Sequence, residues 1–413
     1  MILLINKDLL KKYAELAVKI GVNIQKNQIL VISSPIECAY FSRLIAEIAY
    51  DNGAKDVIIN WVDELFTKIR FLKAPGEVFE KIPSWQKDFY LDYSRKGAAF
   101  LSIYASDPEL LKDVDQKRIA TAQKTKQLAL KEYSERLMSN KNSWSIISIP
   151  TESWAKKVFS KLSSDDAINT LWDNIFKIMR IDKEDPVLAW EEHKNNLKKS
   201  MDFLNSSNFR YLYYKNSLGT DLKIELPKNH IWFGGADYTP EGIEFIANMP
   251  TEEVYTLPLK TGVNGTVVAS KPLNCNGTIV NDFYITFKDG KIVDFHAKEG
   301  HDALKHLIDT DDGSHYLGEV ALVPFNSPIS NSNTIFYNTL YDENASCHLA
   351  IGKAYPVCIK DGENMNEDEL EKHGVNTSLV HEDFMIGTKD LTITGTTWDG
   401  EKTLVFSEGN WAI

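Results

Sequence analysis

The sequence predicts an α/β N-terminal domain with a mainly parallel sheet, followed by a mainly antiparallel β (α+β) domain. Three observations predict this. A chain of 413 residues exceeds what one ordinary core organises. Its first part alternates short apolar runs with amphipathic helical stretches, the pattern of βαβ units. Beyond about residue 205 that alternation gives way to strand-like runs separated by turn residues.

The first helix rests on Leu9, Leu10, Tyr13, Leu16, Ala17 and Ile20 at helical spacing, with Asn6 or Asp8 as cap and Gly21 as stop. Gln28 to Ser33 reads as a buried strand, Pro35 opens a helix carrying Phe41, Leu44, Ile45 and Ile48, and Val57 to Val62 is a second strand. Strand, helix, strand in that order implies parallel pairing. The first strand-to-helix turn, S-S-P-I-E-C, is no glycine-rich phosphate loop, so a scaffold reading outweighs a dinucleotide site. Further strands are expected at 98–104 and 144–149, and helices within 108–139, 165–180 and 186–204. The domains are drawn as 1–190, the scaffold, and 191–413, the β-rich part. In the latter, runs at 210–214, 221–226, 254–257, 265–268 and 283–287 suit strands, and Asp289-Gly290 and Asp399-Gly400 each signal a hairpin.

A net charge of −12 argues against nucleic acid or an anionic membrane as partner, since both are polyanions. Cys38, Cys275, Cys347 and Cys358 form no C-x-x-C pair, which suits a reducing, cytoplasmic setting. No apolar run approaches the roughly 20 residues that span a bilayer, and the start M-I-L-L-I-N-K-D does not read as a secretory signal.

All nine histidines lie after residue 190, so imidazole chemistry belongs to the second part. His381 and Asp383 are two apart in a strand-like run, which puts them on one face; an exposed hairpin edge is the blander reading. Glu319 begins the apolar run G-E-V-A-L-V-P, and a carboxylate is costly to bury there unless paired or bound to metal. His348, in S-C-H-L-A-I-G, taken alone is more often a hydrogen-bonded core residue. Either Glu252 or Glu253 of P-T-E-E-V faces inward, and Tyr355 of G-K-A-Y-P is either packing or a hydroxyl donor. Jointly, these acids and imidazoles in one β domain favour metal. His296, His301, His306 and His315 lack helical zinc-pair spacing, and Asp309, Asp311 and Asp312 lack the calcium-loop pattern and read as a solvated loop. There is no H-E-x-x-H, P-loop or G-x-S-x-G.

Four segments in order, N-M-P-T-E-E-V-Y-T, G-E-V-A-L-V-P, N-A-S-C-H-L-A-I-G-K-A-Y-P and V-H-E-D-F-M-I-G, resemble the thermophilic-type metalloaminopeptidases, the family of aminopeptidases T, S and PepS. The resemblance covers essentially the whole chain. It implies an exopeptidase that hydrolyses N-terminal amino acids from peptides through a two-metal-activated water, acting as a homodimer on substrates with a free N-terminus. It places the metal ligands on Glu253, Glu319, His348, His381 and Asp383, which selects Glu253 over Glu252, and the catalytic tyrosine on Tyr355. Glu319 or Asp383 bridges the ions, and Glu319 is the first choice to relay the proton. The ions could be zinc, cobalt, manganese or magnesium. The rival reading is a non-catalytic metal-binding module on an α/β scaffold; structural sites prefer cysteine-rich coordination, which these cysteines do not supply.

Overall fold

The computed structural model describes residues 6–413 apart from 106, 108, 276 and 277. The chain forms two compact units: one runs to Glu192 and includes Ala236–Pro250, the other comprises His193–Gly235 and Thr251–Ile413. The change of unit falls inside one long helix, Pro186–Ser207.

In the first unit β1 (Ile29–Pro35), β2 (Asp56–Val62), β3 (Ala99–Ile103) and β4 (Trp144–Ile147) form a parallel sheet in the order β2-β1-β3-β4. β1 is central, and Leu30, Val31 and Ile32 are all buried, which is why it reads as a continuous apolar run rather than an alternating one. The first helix, Lys7–Leu16, is capped by the Asn6 side chain, which accepts the Asp8 N–H, and continues through a π-helical turn to Gly21. Two helices that the element-by-element reading leaves out lie between β2 and β3: Glu64–Lys73, capped by Asp63, and Ser84–Arg95. The long helical stretch expected before β4 is two helices, Gln116–Ala129 and Lys131–Met138. The returning segment Ala236–Pro250 joins this unit through Ile246 N–H to the Gly21 carbonyl at 2.9 Å and a bridge between Ile146 and Asn248.

The second unit holds an antiparallel five-stranded sheet made of β5 (Phe233–Gly234), β6 (Val254–Thr256), β7 (Leu317–Leu322), β8 (His348–Gly352) and β9 (His381–Met385). Its order is β9-β8-β7-β6-β5. A larger antiparallel sheet contains both predicted hairpins, Thr278–Lys288 with Lys291–Glu299 and Thr392–Thr396 with Lys402–Ser407. At the first turn Asp289 and Gly290 both have positive φ, 50° and 81°, as a type I′ hairpin requires.

Register assigns the two faces of the five-stranded sheet. Val254, Val320, Leu322, Leu349, Ile351 and Phe384 share one hydrophobic core with Leu212, Ile224, Val267, Phe283 and Ile285 of the larger sheet. The other face follows from pairing: Ala350 sits opposite both Glu319 and Asp383, His348 opposite Ala321 and Met385, and Gly352 opposite His381. Directly paired residues point to the same side, so both imidazoles and both carboxylates stand on this face around small residues.

One irregularity makes this possible. Leu317 pairs with Ile351 and Glu319 with Ala350, so the ladder shifts at Gly318. Strict alternation would put Leu317 and Glu319 on the same side. The bulge lets Leu317 stay in the core while Glu319 turns to the opposite face.

Candidate metal centre

Each site residue is delivered by a strand of this sheet or by the residue just outside one. Glu253 precedes β6, two residues before Tyr255, which pairs with Ala321 on the same face. Its Oε2 lies 3.2 Å from His348 Nε2. Glu319 presents one oxygen to each imidazole: Oε1 is 3.6 Å from His348 Nε2, and Oε2 is 3.4 Å from His381 Nε2. Asp383 Oδ1 is 3.6 Å from His381 Nε2 and 4.0 Å from His348 Nε2. Two triads result, Glu253–Glu319–His348 and Glu319–His381–Asp383, and in each the ligand atoms lie within 4.8 Å of one another. Glu319 is common to both.

The remaining ring nitrogens fix the histidine tautomers. His348 Nδ1 is 3.2 Å from the Ser346 carbonyl, and His381 Nδ1 is 2.7 Å from the Lys353 carbonyl. A carbonyl only accepts, so Nδ1–H donates and the neutral ring offers its Nε2 lone pair to the centre. A backbone carbonyl behind the imidazole is the usual support of a metal-ligating histidine.

Tyr355 lies beyond the end of β8, its ring 4.8 Å from that of His381 and in edge contact with Tyr255 at 6.2 Å between centroids. The structure also separates the two neighbouring glutamates. Glu253 faces His348, whereas Glu252 turns to His193, with Oε2 3.6 Å from Nε2, and its N–H donates to Asn344 Oδ1 at 2.8 Å.

A residue that sequence reasoning missed joins the group. Glu343, on a 3₁₀ turn of residues Glu343–Ala345, lies close enough to the site that burial and then the charges of Glu253 and Asp383 push its carboxyl well above the ordinary range. It stands in the same segment as His348, yet nothing in Y-D-E-N-A sets it apart from a solvated helix end.

The electrostatics describe a centre that wants positive charge. Burial and then Glu319 push the Asp383 carboxyl up to about 6. For Glu319, burial opposes ionisation but His348 and His381 outweigh it and draw the carboxyl down to about 2. Burial would likewise discharge both imidazoles, yet Glu319 and Asp383 raise His381 to about 9, and Glu253 and Glu319 hold the more buried His348 well above the ordinary imidazole range. Protons thus stand where cations belong. Four carboxyls, Glu253, Glu319, Glu343 and Asp383, crowd two imidazoles in one buried place, where charge is costly unless it is paired or bound to a cation. Asp383 Oδ1, buried, accepts no hydrogen bond from the described residues. The mixed carboxylate and imidazole donors fit divalent cations.

The chain is similar to known proteins along nearly its whole length. Residues 6–411 match the family described as thermophilic metalloprotease (M29). The chain is 53% identical to aminopeptidase 2 of Geobacillus stearothermophilus and 48% identical to aminopeptidase AmpS of Bacillus subtilis, each over 98% of both chains. Its structure superposes on wild-type AmpT of Thermus thermophilus with a TM-score of 0.92 at 37% identity, covering 98% of this chain and 100% of that one. With buried carboxylates and imidazoles gathered on one sheet face and the likeness running end to end, the chain belongs to the thermophilic metalloprotease family, M29.

Proposed function

We propose that this protein is a metal-dependent aminopeptidase whose centre holds two divalent ions between Glu253, Glu319, His348, His381 and Asp383. The observation that carries the reading is Glu319, with one oxygen turned to each imidazole and membership of both ligand triads. That is the posture of a carboxylate that bridges two cations, and it favours Glu319 over Asp383 for the role. The 191–413 part is then the catalytic domain and the α/β part its scaffold.

Bound ions of this kind acidify water and polarise a carbonyl oxygen. The chain's own residues do the rest. Tyr355 offers a hydroxyl proton to the negative charge that develops on the scissile carbonyl oxygen. The carboxylate cluster attracts the substrate's ammonium group, which restricts cleavage to free N-termini. Glu319 is one candidate to relay the proton; a second reading gives that task to Glu343, because both Glu319 oxygens already face imidazoles while Glu343 stands outside both triads.

Zinc, cobalt, manganese and magnesium are the proposed ions, since such donors suit several and availability decides. A cytoplasmic homodimer acting on peptides is the proposed setting; four unpaired cysteines suit a reducing compartment, and no described helix is long and apolar enough to cross a membrane. The test is hydrolysis of aminoacyl chromogenic substrates and their N-acetylated forms, after chelation and after metal add-back, with metal counted per chain. Cleavage that needs a free amine, fails with chelator and returns with two ions per chain is expected. Saturation at one ion, or equal cleavage of acetylated substrates, would overturn the reading.

A further inference from the structure

The acidic run 309–312, which reads in sequence as a solvated loop, is tied down. Asp311 Oδ1 accepts the Ser314 N–H and the Ser378 hydroxyl, both at 2.8 Å, and Oδ2 accepts the Leu379 N–H at 2.6 Å. Ser378 Oγ in turn accepts the Val380 N–H at 3.2 Å. One carboxylate therefore fixes the three residues that lead into His381.

Asn376 holds the same place from inside. It is fully buried, and its Nδ2 donates to the Gly313 carbonyl at 2.8 Å and to the Gly352 carbonyl at 2.6 Å. Its main-chain carbonyl accepts the Ala354 N–H at 2.9 Å, one residue before Tyr355. Between these anchors lies Lys353, whose N–H donates to the Val380 carbonyl at 2.7 Å and whose carbonyl receives His381 Nδ1 at 2.7 Å. The segments 311–314 and 376–380 thus converge on the turn 352–355, which carries both the support of one imidazole and the backbone of Tyr355.

We propose that Asp311 and Asn376 are positioning residues of the metal centre: together they hold the Lys353 carbonyl behind His381 and set the direction of its Nε2 and of Tyr355. Neither touches substrate or ion. This rests on the assignment of His381 as a ligand made above, and the deciding readout of its test, metal affinity, does not depend on peptide cleavage. Asn fits position 376 because two carbonyls need two N–H donors, which aspartate cannot offer and alanine lacks. Asp fits position 311 because three donors converge on it, and an amide would turn an N–H toward one of them.

The experiment is a direct titration of the full-length apoprotein with zinc or cobalt, for wild type, Asp311→Asn, Asn376→Asp and Asn376→Ala, beside thermal unfolding of each. Lost support of a metal-bound histidine costs roughly 10–100-fold in affinity. The expected result is that loss at one of the two ions in the variants that fold, with the other ion unchanged. KM stays near wild type, and kcat is partly recovered at saturating metal. Variants that melt earlier but bind both ions as wild type does would reduce both residues to structural roles and overturn the proposal. If one variant fails to fold, Ser378→Ala removes a single link of the Asp311 network and must weaken the same ion, or the proposal falls. Wild type that binds metal without cleaving peptides would sink the proposed function while leaving this test intact.

Discussion

The two faces of the five-stranded sheet are built from the same strands and differ in almost everything else. Val320, Leu349, Ile351 and Phe384 alternate with Glu319, His348, Ala350 and Asp383. The first set fills a shared core and resembles any half of a sandwich. The second crowds carboxyls that repel one another, a repulsion that the imidazoles among them offset only in part. Stability comes from one face, and the chemistry is held on the other by the period of two. The face that repels itself is tolerable because the apolar one is well packed.

That contrast is broken most sharply by removing one of the proposed ligands. His381→Ala or Asp383→Ala is expected to lose metal at the centre and activity together, by more than the roughly 10–100-fold that a lost supporting partner costs, while circular dichroism stays native. A variant of either with full metal content would place the centre elsewhere. The opposite face should respond in the opposite way. Phe384 is buried and packs on Phe283 at 5.8 Å between centroids, so Phe384→Ala should cost about 3–5 kcal/mol of stability. Its folded fraction should still bind metal as wild type does, and denaturant titration with and without metal measures both.

How far the sequence reached follows the same division. The spacing of His381 and Asp383 put them on one side of a strand, and the register agrees, with both on the face of Ala350 and Gly352. The cost of a carboxylate in an apolar run marked Glu319, which is nearly fully buried. His348 was ambiguous because its neighbours are apolar whichever way it points; only the partner strands decide what it meets. Glu252 and Glu253 are adjacent, so local pattern could not choose between them, and the choice depends on where His193 and His348 arrive from distant segments. Glu343 escaped because a 3₁₀ turn has no alternation to read. The helices Glu64–Lys73 and Ser84–Arg95 escaped too, in a stretch broken by Pro75, Gly76 and Pro83; the first of them buries none of its residues, so it carries no clear core-facing stripe.

Tyr355→Phe sharpens the comparison within the site face by separating chemistry from metal holding. Loss of one donor to a developing oxyanion lowers kcat by roughly 10²–10³, and metal content should not change. Steady-state kinetics on an aminoacyl substrate, with metal analysis of the same sample, decides this. Unchanged turnover would remove the hydroxyl from the reaction and leave Tyr355 as a ring packed on His381.

The smallest change tests the hinge between the two faces. At Gly318 an added Cβ would run into the carbonyl oxygens of Lys353 and Gly352, both backbone and unable to swing away as a flexible side chain could. Gly318→Ala should therefore cost about 1–3 kcal/mol, the usual range for overpacking. Relief requires the bulge to move, and the bulge is what lets Leu317 face the core while Glu319 faces the site. A shift that keeps Leu317 buried pulls Glu319 away from His348 and His381, and a shift that keeps Glu319 in place exposes Leu317. The variant should thus lose stability and metal affinity together, unlike Phe384→Ala, which loses only the first. If Gly318→Ala melts earlier yet binds metal as wild type does, the bulge is not what aims Glu319, and the strand must reach that geometry by some other adjustment of its twist.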